Sequence, residues 1–283
     1  MNAYCFDLSV PGFTIACKAW GKRENPPMLA MHGWLDNANS FDGLAPLLAD
    51  RFHVIAIDLP GHGQSSHLPA GHHYHFIDGI FNVHSIIQAL GLRQVHLLGH
   101  SMGACLASLI AGVTPDSVLS LTMIEAIGPL AAPEERCCEQ LARFQKQALA
   151  LEKKSDKAYP SRLRTAEARA AKGYLSLDNA LILCERGVRE EGPAFYWRHD
   201  KRLLNASPLR MTERQVLSCL RNIHAPACLI WGDDGFSFCP EAIEERERAV
   251  KSLHIHHLPG GHHLHMEHPE AIARCLSDFY KNV

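Results

Sequence analysis

The chain has 283 residues, 47% of them apolar and 20% charged, with a formal net charge of −2. That supplies enough apolar side chain for a full core, but no basic field to displace phosphate counterions, so nucleic acid is not an expected partner. The longest apolar stretches, such as Ala104 to Val113, are too short to span a bilayer, and no Lys/Arg cluster flanks an apolar helix, so no membrane is expected either.

In chain order, Phe13 to Trp20 alternates like a strand. Short apolar runs follow at Pro27 to Met31, Phe52 to Asp58, Val95 to Leu98 and Leu119 to Ile124. Such runs with helical segments between them predict βαβ units and a parallel sheet buried on both faces. Each run ends at a Gly, His, Asp or Glu, and in open α/β sheets the chemistry collects at the carboxyl ends of the strands. From 128 to 222 the pattern changes to helix formers: Ala132 to Glu152, Thr165 to Lys172, Ser176 to Gly187 and Thr212 to Arg221. Pro160, Gly173, Gly192, Pro193 and Pro208 punctuate them. This segment reads as a helical insertion over the sheet. The α/β pattern resumes with strands Ala227 to Trp231 and Leu253 to Leu258 and helices Glu241 to Val250 and Pro269 to Tyr280. The expected organisation is a core of 1–127 and 223–283 with a cap of 128–222.

Ten cysteines are scattered from Cys5 to Cys275 without recurring spacing, mostly among apolar neighbours. Those among apolar neighbours read as buried, and the set as reduced thiols of a cytoplasmic protein. At the N-terminus Asp7 and Pro11 interrupt the apolar residues and no basic region leads them, so no signal peptide is expected.

The strongest chemical signal is Gly99-His100-Ser101-Met102-Gly103, a G-x-S-x-G sequence between strand Val95 to Leu98 and helix Ala104 to Val113. A strand that turns sharply into a helix brings backbones together where a Cβ would clash, which explains both glycines. Ser101 then stands at the apex with its hydroxyl exposed, as a nucleophile requires. Serine needs a base. Among 19 histidines, position selects the loop after the last strand, where His262 directly follows Gly260-Gly261; His263 is the alternative and His265 reads as a packing residue. A metal shared by His262 with His265 or His268 is disfavoured, because no Asp, Glu or Cys spacing completes a coordination sphere. At His32-Gly33-Trp34 the glycine lets backbone approach a substrate carbonyl. The Trp34 and Met102 N–H groups are the expected oxyanion donors, and His32 reads as structural. Asp58 to Ser65 reads as a scaffolding turn beneath the site.

Together His32-Gly33-Trp34, the Asp58 to Ser65 turn, the Ser101 elbow and Gly261-His262 with Glu267 and Pro269 resemble the α/β-hydrolase superfamily, over nearly the whole chain. Within it, Leu181 to Gly187 and Trp197 to Leu203 look like the cap segment of the serine hydrolase-like group. The resemblance implies a mostly parallel eight-stranded sheet flanked by helices, with the cap inserted after the strand ending near Glu125. It also implies a small-molecule substrate, no cofactor and no metal. In many relatives the acid is an Asp three residues after the Gly ending the strand that follows the cap. Here that Gly is Gly232 and the third residue on is Gly235. The expected acid is therefore Glu125, at the end of a buried strand beside the nucleophile strand and where the sequence looks like the Glu-bearing haloalkane dehalogenases, with Asp233 or Asp234 as the alternative. Serine at the elbow disfavours dehalogenation and points to acyl transfer to water. The resemblance leaves open a cofactor-free haloperoxidase-like or C–C bond hydrolase activity, and a non-catalytic small-molecule sensor.

Overall fold

The computed structural model describes residues 2–172, 174–236, 239–281 and 283. Eight strands form one sheet: β1 (Tyr4–Val10), β2 (Phe13–Trp20), β3 (Pro27–Met31), β4 (His53–Ile57), β5 (Val95–His100), β6 (Val118–Ile124), β9 (Ala227–Asp234) and β10 (Leu253–Gly261). Their spatial order is β1-β2-β4-β3-β5-β6-β9-β10. From β4 to β10 every pairing is parallel, whereas β1 and β2 run antiparallel at one edge.

The central strands lack a polar face because both faces are covered. On β3, Leu29 and Met31 point into one core while Met28 and Ala30 point into the other. Helices α2 (Asp78–Ala89), α3 (Met102–Val113) and α7 (Glu213–Arg221) cover the first face. Short α1 (Ala45–Leu48) and the terminal α10 (Pro269–Tyr280) cover the second, where Leu44, Leu48, Leu276, Phe279 and Tyr280 are buried. In both cores burial holds thiols protonated: Cys17, Cys105 and Cys228 are each pushed up to about 12, chiefly by desolvation. Among the described residues no helix is long and apolar enough to cross a membrane.

The segment between β6 and β9 contains α4 (Cys137–Glu152), α5 (Arg162–Ala170) and α6 (Leu177–Gly187). It also holds a hairpin that the sequence reading missed, β7 (Val188–Glu191) with β8 (Ala194–Trp197), turning at Gly192 with φ 58°. Ala166, Leu175, Ala180, Leu183, Cys184 and Val188 form its own small core, against which Phe195 and Trp197 pack. Gly173 lies outside the described residues. The expectation that this body runs to 222 needs correcting at its end. Val216, Leu217 and Leu220 of α7 are buried in the main core beside α3, because the helix carries a contiguous apolar stripe that the sheet layer completes. After α7 come α8 (Pro240–Ala249) and short α9 (Leu264–Glu267).

The Asp58 turn joins cap to core. Asp58 is fully buried, accepts the N–H of Ala38 and Gln64, and takes both of its oxygens to Nε of Arg186 on α6 at 2.9 and 2.7 Å. Asp58→Asn leaves the buried Arg186 charge unpaired and is expected to cost about 3–5 kcal/mol of unfolding free energy, read from urea denaturation. An unchanged midpoint contradicts this role.

Candidate active site

Ser101 stands between β5 and α3 with φ 50° and ψ −114°, a region that L residues avoid and that costs roughly 1–3 kcal/mol. The flanking glycines are sterically required. A Cβ on Gly99 would lie 2.4 Å from the Gly103 carbonyl oxygen, and one on Gly103 would lie 2.0 Å from that of Met31. The bend brings Ser101 out of the sheet plane and starts α3 at Met102, whose N–H has no intrahelical acceptor. β3 runs alongside β5, with Met31 opposite Gly99, so Gly33 and Trp34 emerge beside the elbow. The Trp34 ring is half exposed and its indole N–H donates to the Leu203 carbonyl at 2.9 Å.

His262 lies at the end of β10, and its Nε2 is 2.9 Å from Ser101 Oγ. Its Nδ1 is 2.9 Å from Glu125 Oε2. Glu125 leaves β6 with φ 62° and is fully buried. Its carboxylate also accepts the N–H of Gly232 at 2.5 Å and of Phe236 at 3.1 Å. The structure thus brings Ser101, His262 and Glu125 together. Asp233 and Asp234 sit exposed at the end of β9. A Cβ on Gly235 would lie 2.2 Å from Glu125 Oε2. The volume that a side chain at 235 would fill is taken by an acid arriving from β6.

His263, the alternative base, turns the other way. Its Nε2 is 3.0 Å from Asp36 Oδ2, and its Nδ1 bonds the Tyr174 carbonyl at 2.5 Å. In the turn after β10 the two rings stand 5.5 Å apart and nearly perpendicular, and His262 is the one within hydrogen-bond distance of Ser101. Asp36 is buried between His263 and Arg169 of the cap, whose Nη2 lies 3.0 Å from Oδ1. Burial alone would raise its carboxyl, but the charges and hydrogen bond of His263 and Arg169 hold it well below the usual carboxylate range. His265 packs as expected, fully buried, with Nε2 2.7 Å from Ser40 Oγ and its ring 4.0 Å from that of His100. His32 is structural: Nδ1–H donates to the Gly33 carbonyl at 2.7 Å and Nε2 accepts the Leu59 N–H at 3.0 Å.

Burial lowers His32, His62, His100 and His265 below their ordinary 6.5. Below pH 6.5 the unfolded chain takes up protons that these four folded sites refuse, so stability falls with pH. At about pH 5.5 the loss is of order 1 kcal/mol per histidine. Thermal melts between pH 7.5 and pH 5.5 check this; a flat profile contradicts it.

Tyr174 and Phe236 flank His262, with ring centroids 5.8 and 5.9 Å from the imidazole. Of the other cap aromatics, Phe195 and Trp197 belong to the cap's own core. Phe144 lines a cleft of about 710 Å³ between cap residues and the 67–74 segment, and that cleft includes none of Ser101, His262 and Glu125.

Comparison with known proteins agrees with this architecture. A family model described as the alpha/beta hydrolase fold matches residues 26–269. A probable serine hydrolase of Drosophila melanogaster is 33% identical over 98% of this chain and 87% of its own length. The crystal structure of a hypothetical protein from Pseudomonas aeruginosa PAO1 is 34% identical, covers 98% of this chain and 99% of that one, and superposes with a TM-score of 0.93. A thioesterase domain from the curacin biosynthetic pathway is 27% identical, with a TM-score of 0.84 over 98% of this chain and 99% of that one. On the sheet topology, the matched length and the shared identity, the chain belongs to the α/β-hydrolase family, in its serine hydrolase-like group.

Proposed function

We propose that the protein hydrolyses a small-molecule carboxylic ester or thioester through an acyl-enzyme on Ser101. One observation carries the reading: a single unbroken line of hydrogen bonds from Ser101 Oγ through His262 to Glu125, each at 2.9 Å. In this reading His262 accepts the Ser101 proton as Oγ attacks the carbonyl, then returns it to the departing alcohol or thiol. Glu125 fixes the tautomer with Nδ1–H and stabilises the imidazolium. The N–H groups of Met102 and Trp34 hold the oxyanion. Water, deprotonated by the same imidazole, then releases the acid and restores Ser101.

The rings of Tyr174 and Phe236 beside His262 favour a substrate with an apolar group on the leaving or acyl side. The thioesterase domain among the solved relatives supports including thioesters. The test is a panel of nitrophenyl esters and acyl thioesters followed in the pre-steady state. A burst of product equivalent to the enzyme, then slower turnover, is expected. Ligands that raise the melting temperature without any acyl cleavage would favour the sensor reading instead.

A further inference from the structure

Beneath the Ser101–His262 pair lies a second polar cluster that the acyl-transfer reading does not use. Asp36 Oδ2, His100 Nδ1 and His263 Nε2 all lie within 4.8 Å of one another, on three buried residues. Asp36 is bonded by Arg169 and His263, whereas His100 is bonded on one side alone. The far nitrogen of each ring already serves a carbonyl: His100 Nε2 donates to His262 O at 2.7 Å, and His263 Nδ1 donates to Tyr174 O. With Nε2 carrying its proton, His100 Nδ1 is a lone pair. It is buried, has no hydrogen-bond partner among the described residues, and lies 3.9 Å from Asp36 Oδ2. A buried acceptor lone pair without a donor, set beside a carboxylate oxygen, is unfavourable. A cation between them removes the conflict. The arrangement is also what metal-ligating histidines show, with the distal N–H held by a carbonyl so that the proximal nitrogen is aimed and basic.

We propose that Asp36, His100 and His263 bind one divalent transition-metal ion of the zinc class, and that its occupancy lowers turnover at Ser101. Two imidazoles and a carboxylate suit zinc, and also copper or nickel, better than calcium or magnesium. Arg169 holds Asp36 Oδ1 and so leaves Oδ2 for the ion. On binding, the proton between His263 Nε2 and Asp36 Oδ2 is released to solvent and two metal–nitrogen bonds and one metal–oxygen bond form. Zinc–ligand bonds of about 2.0–2.2 Å at near-tetrahedral angles set the donors roughly 3.4 Å apart, so His100 Nδ1 draws in toward Asp36 Oδ2 from 3.9 Å while His263 Nε2 opens from 3.0 Å. His100 and His263 are the chain neighbours of Ser101 and His262, so that rearrangement moves the nucleophile and base relative to each other. The effect on turnover rests on the acyl-transfer reading; the binding does not.

The experiment titrates the full chain with Co²⁺ and follows its visible d–d bands. One equivalent in a four- or five-coordinate N/O site is expected, absent from Asp36→Asn and from His263→Gln once circular dichroism shows them folded. An equivalent retained by either folded variant, or a thiolate charge-transfer band from the cysteines, overturns the site. If neither variant folds, Cu²⁺ paramagnetic resonance on the wild type decides. Coupling to two imidazole nitrogens supports the assignment, and any other nitrogen count or a sulfur ligand overturns it. Where esters are turned over, one equivalent of Zn²⁺ is expected to slow hydrolysis about ten-fold, reversed by a chelator. Binding without hydrolysis in the metal-free protein would remove the acyl-transfer reading and leave the site. Binding that leaves hydrolysis unchanged would overturn the control of turnover.

Discussion

Ser101→Ala is expected to lower kcat/KM on an acyl ester roughly 10⁴- to 10⁶-fold, because nucleophile and base act as a unit and loss of either removes most of the covalent route. The residual rate comes from substrate binding and the oxyanion donors alone. Stability should change little. The hydroxyl bonds only His262 among the described residues, and alanine inherits the same φ of 50°. A fall in activity accompanied by unfolding would not count as support. The informative result is a melting temperature near wild type with the rate lost. A variant retaining more than a tenth of wild-type turnover would place the nucleophile elsewhere.

The second large effect belongs to the acid. Glu125 spends its carboxylate on His262, Gly232 and Phe236. Glutamine keeps the shape but must present an amide N–H either to a backbone N–H or to His262 Nδ1, which disfavours the tautomer that accepts the serine proton. Glu125→Gln is therefore expected to reduce turnover roughly 10²- to 10⁴-fold, with Asp234→Asn nearly unchanged. The converse pattern would reassign the acid. Geometry allows a stricter test. Position 125 has φ 62°, which glycine adopts without strain, and a side chain at 235 would enter the volume now held by the Glu125 carboxylate. The double substitution Glu125→Gly with Gly235→Asp moves the acid from the end of β6 to the loop after β9. It is expected to recover part of the rate lost in Glu125→Gly, whereas Gly235→Asp alone crowds two carboxylates and impairs the enzyme. No recovery in a folded double variant would mean that Glu125 acts through more than its charge at His262.

How much of this was legible in the sequence depended on whether a feature is local. The Ser101 elbow is a contiguous strand, glycine pair and helix, so its geometry is written in five residues. His262 was accessible because chain order carries it to the carboxyl end of the last strand. Glu125 could be preferred to the Asp pair from its place at a buried strand end and from the glycine at 235, but the shared volume between the two adjacent strand ends is not written in any spacing. Strand β1 escaped notice although Tyr4, Phe6, Leu8 and Val10 alternate with polar or small residues, since one alternating run is a weak signal at an edge. Hairpin β7–β8 was hidden inside a helix-rich stretch, with Gly192-Pro193 as its only mark. Helix α7 carries the apolar stripe of any amphipathic helix, and a stripe does not say which core it joins. Asp36 was invisible for a related reason. It meets His100 and His263 only because β3, β5 and β10 end on the same side of the sheet, and no spacing links the three.

The most direct measurement is the intact mass of the protein, followed by peptide mapping, after exposure to a serine-directed fluorophosphonate. A single adduct confined to the peptide carrying Ser101, absent from Ser101→Ala and slowed in Glu125→Gln, is the predicted result. A wild-type protein that acquires no adduct, or one whose adduct survives in Ser101→Ala, would contradict it.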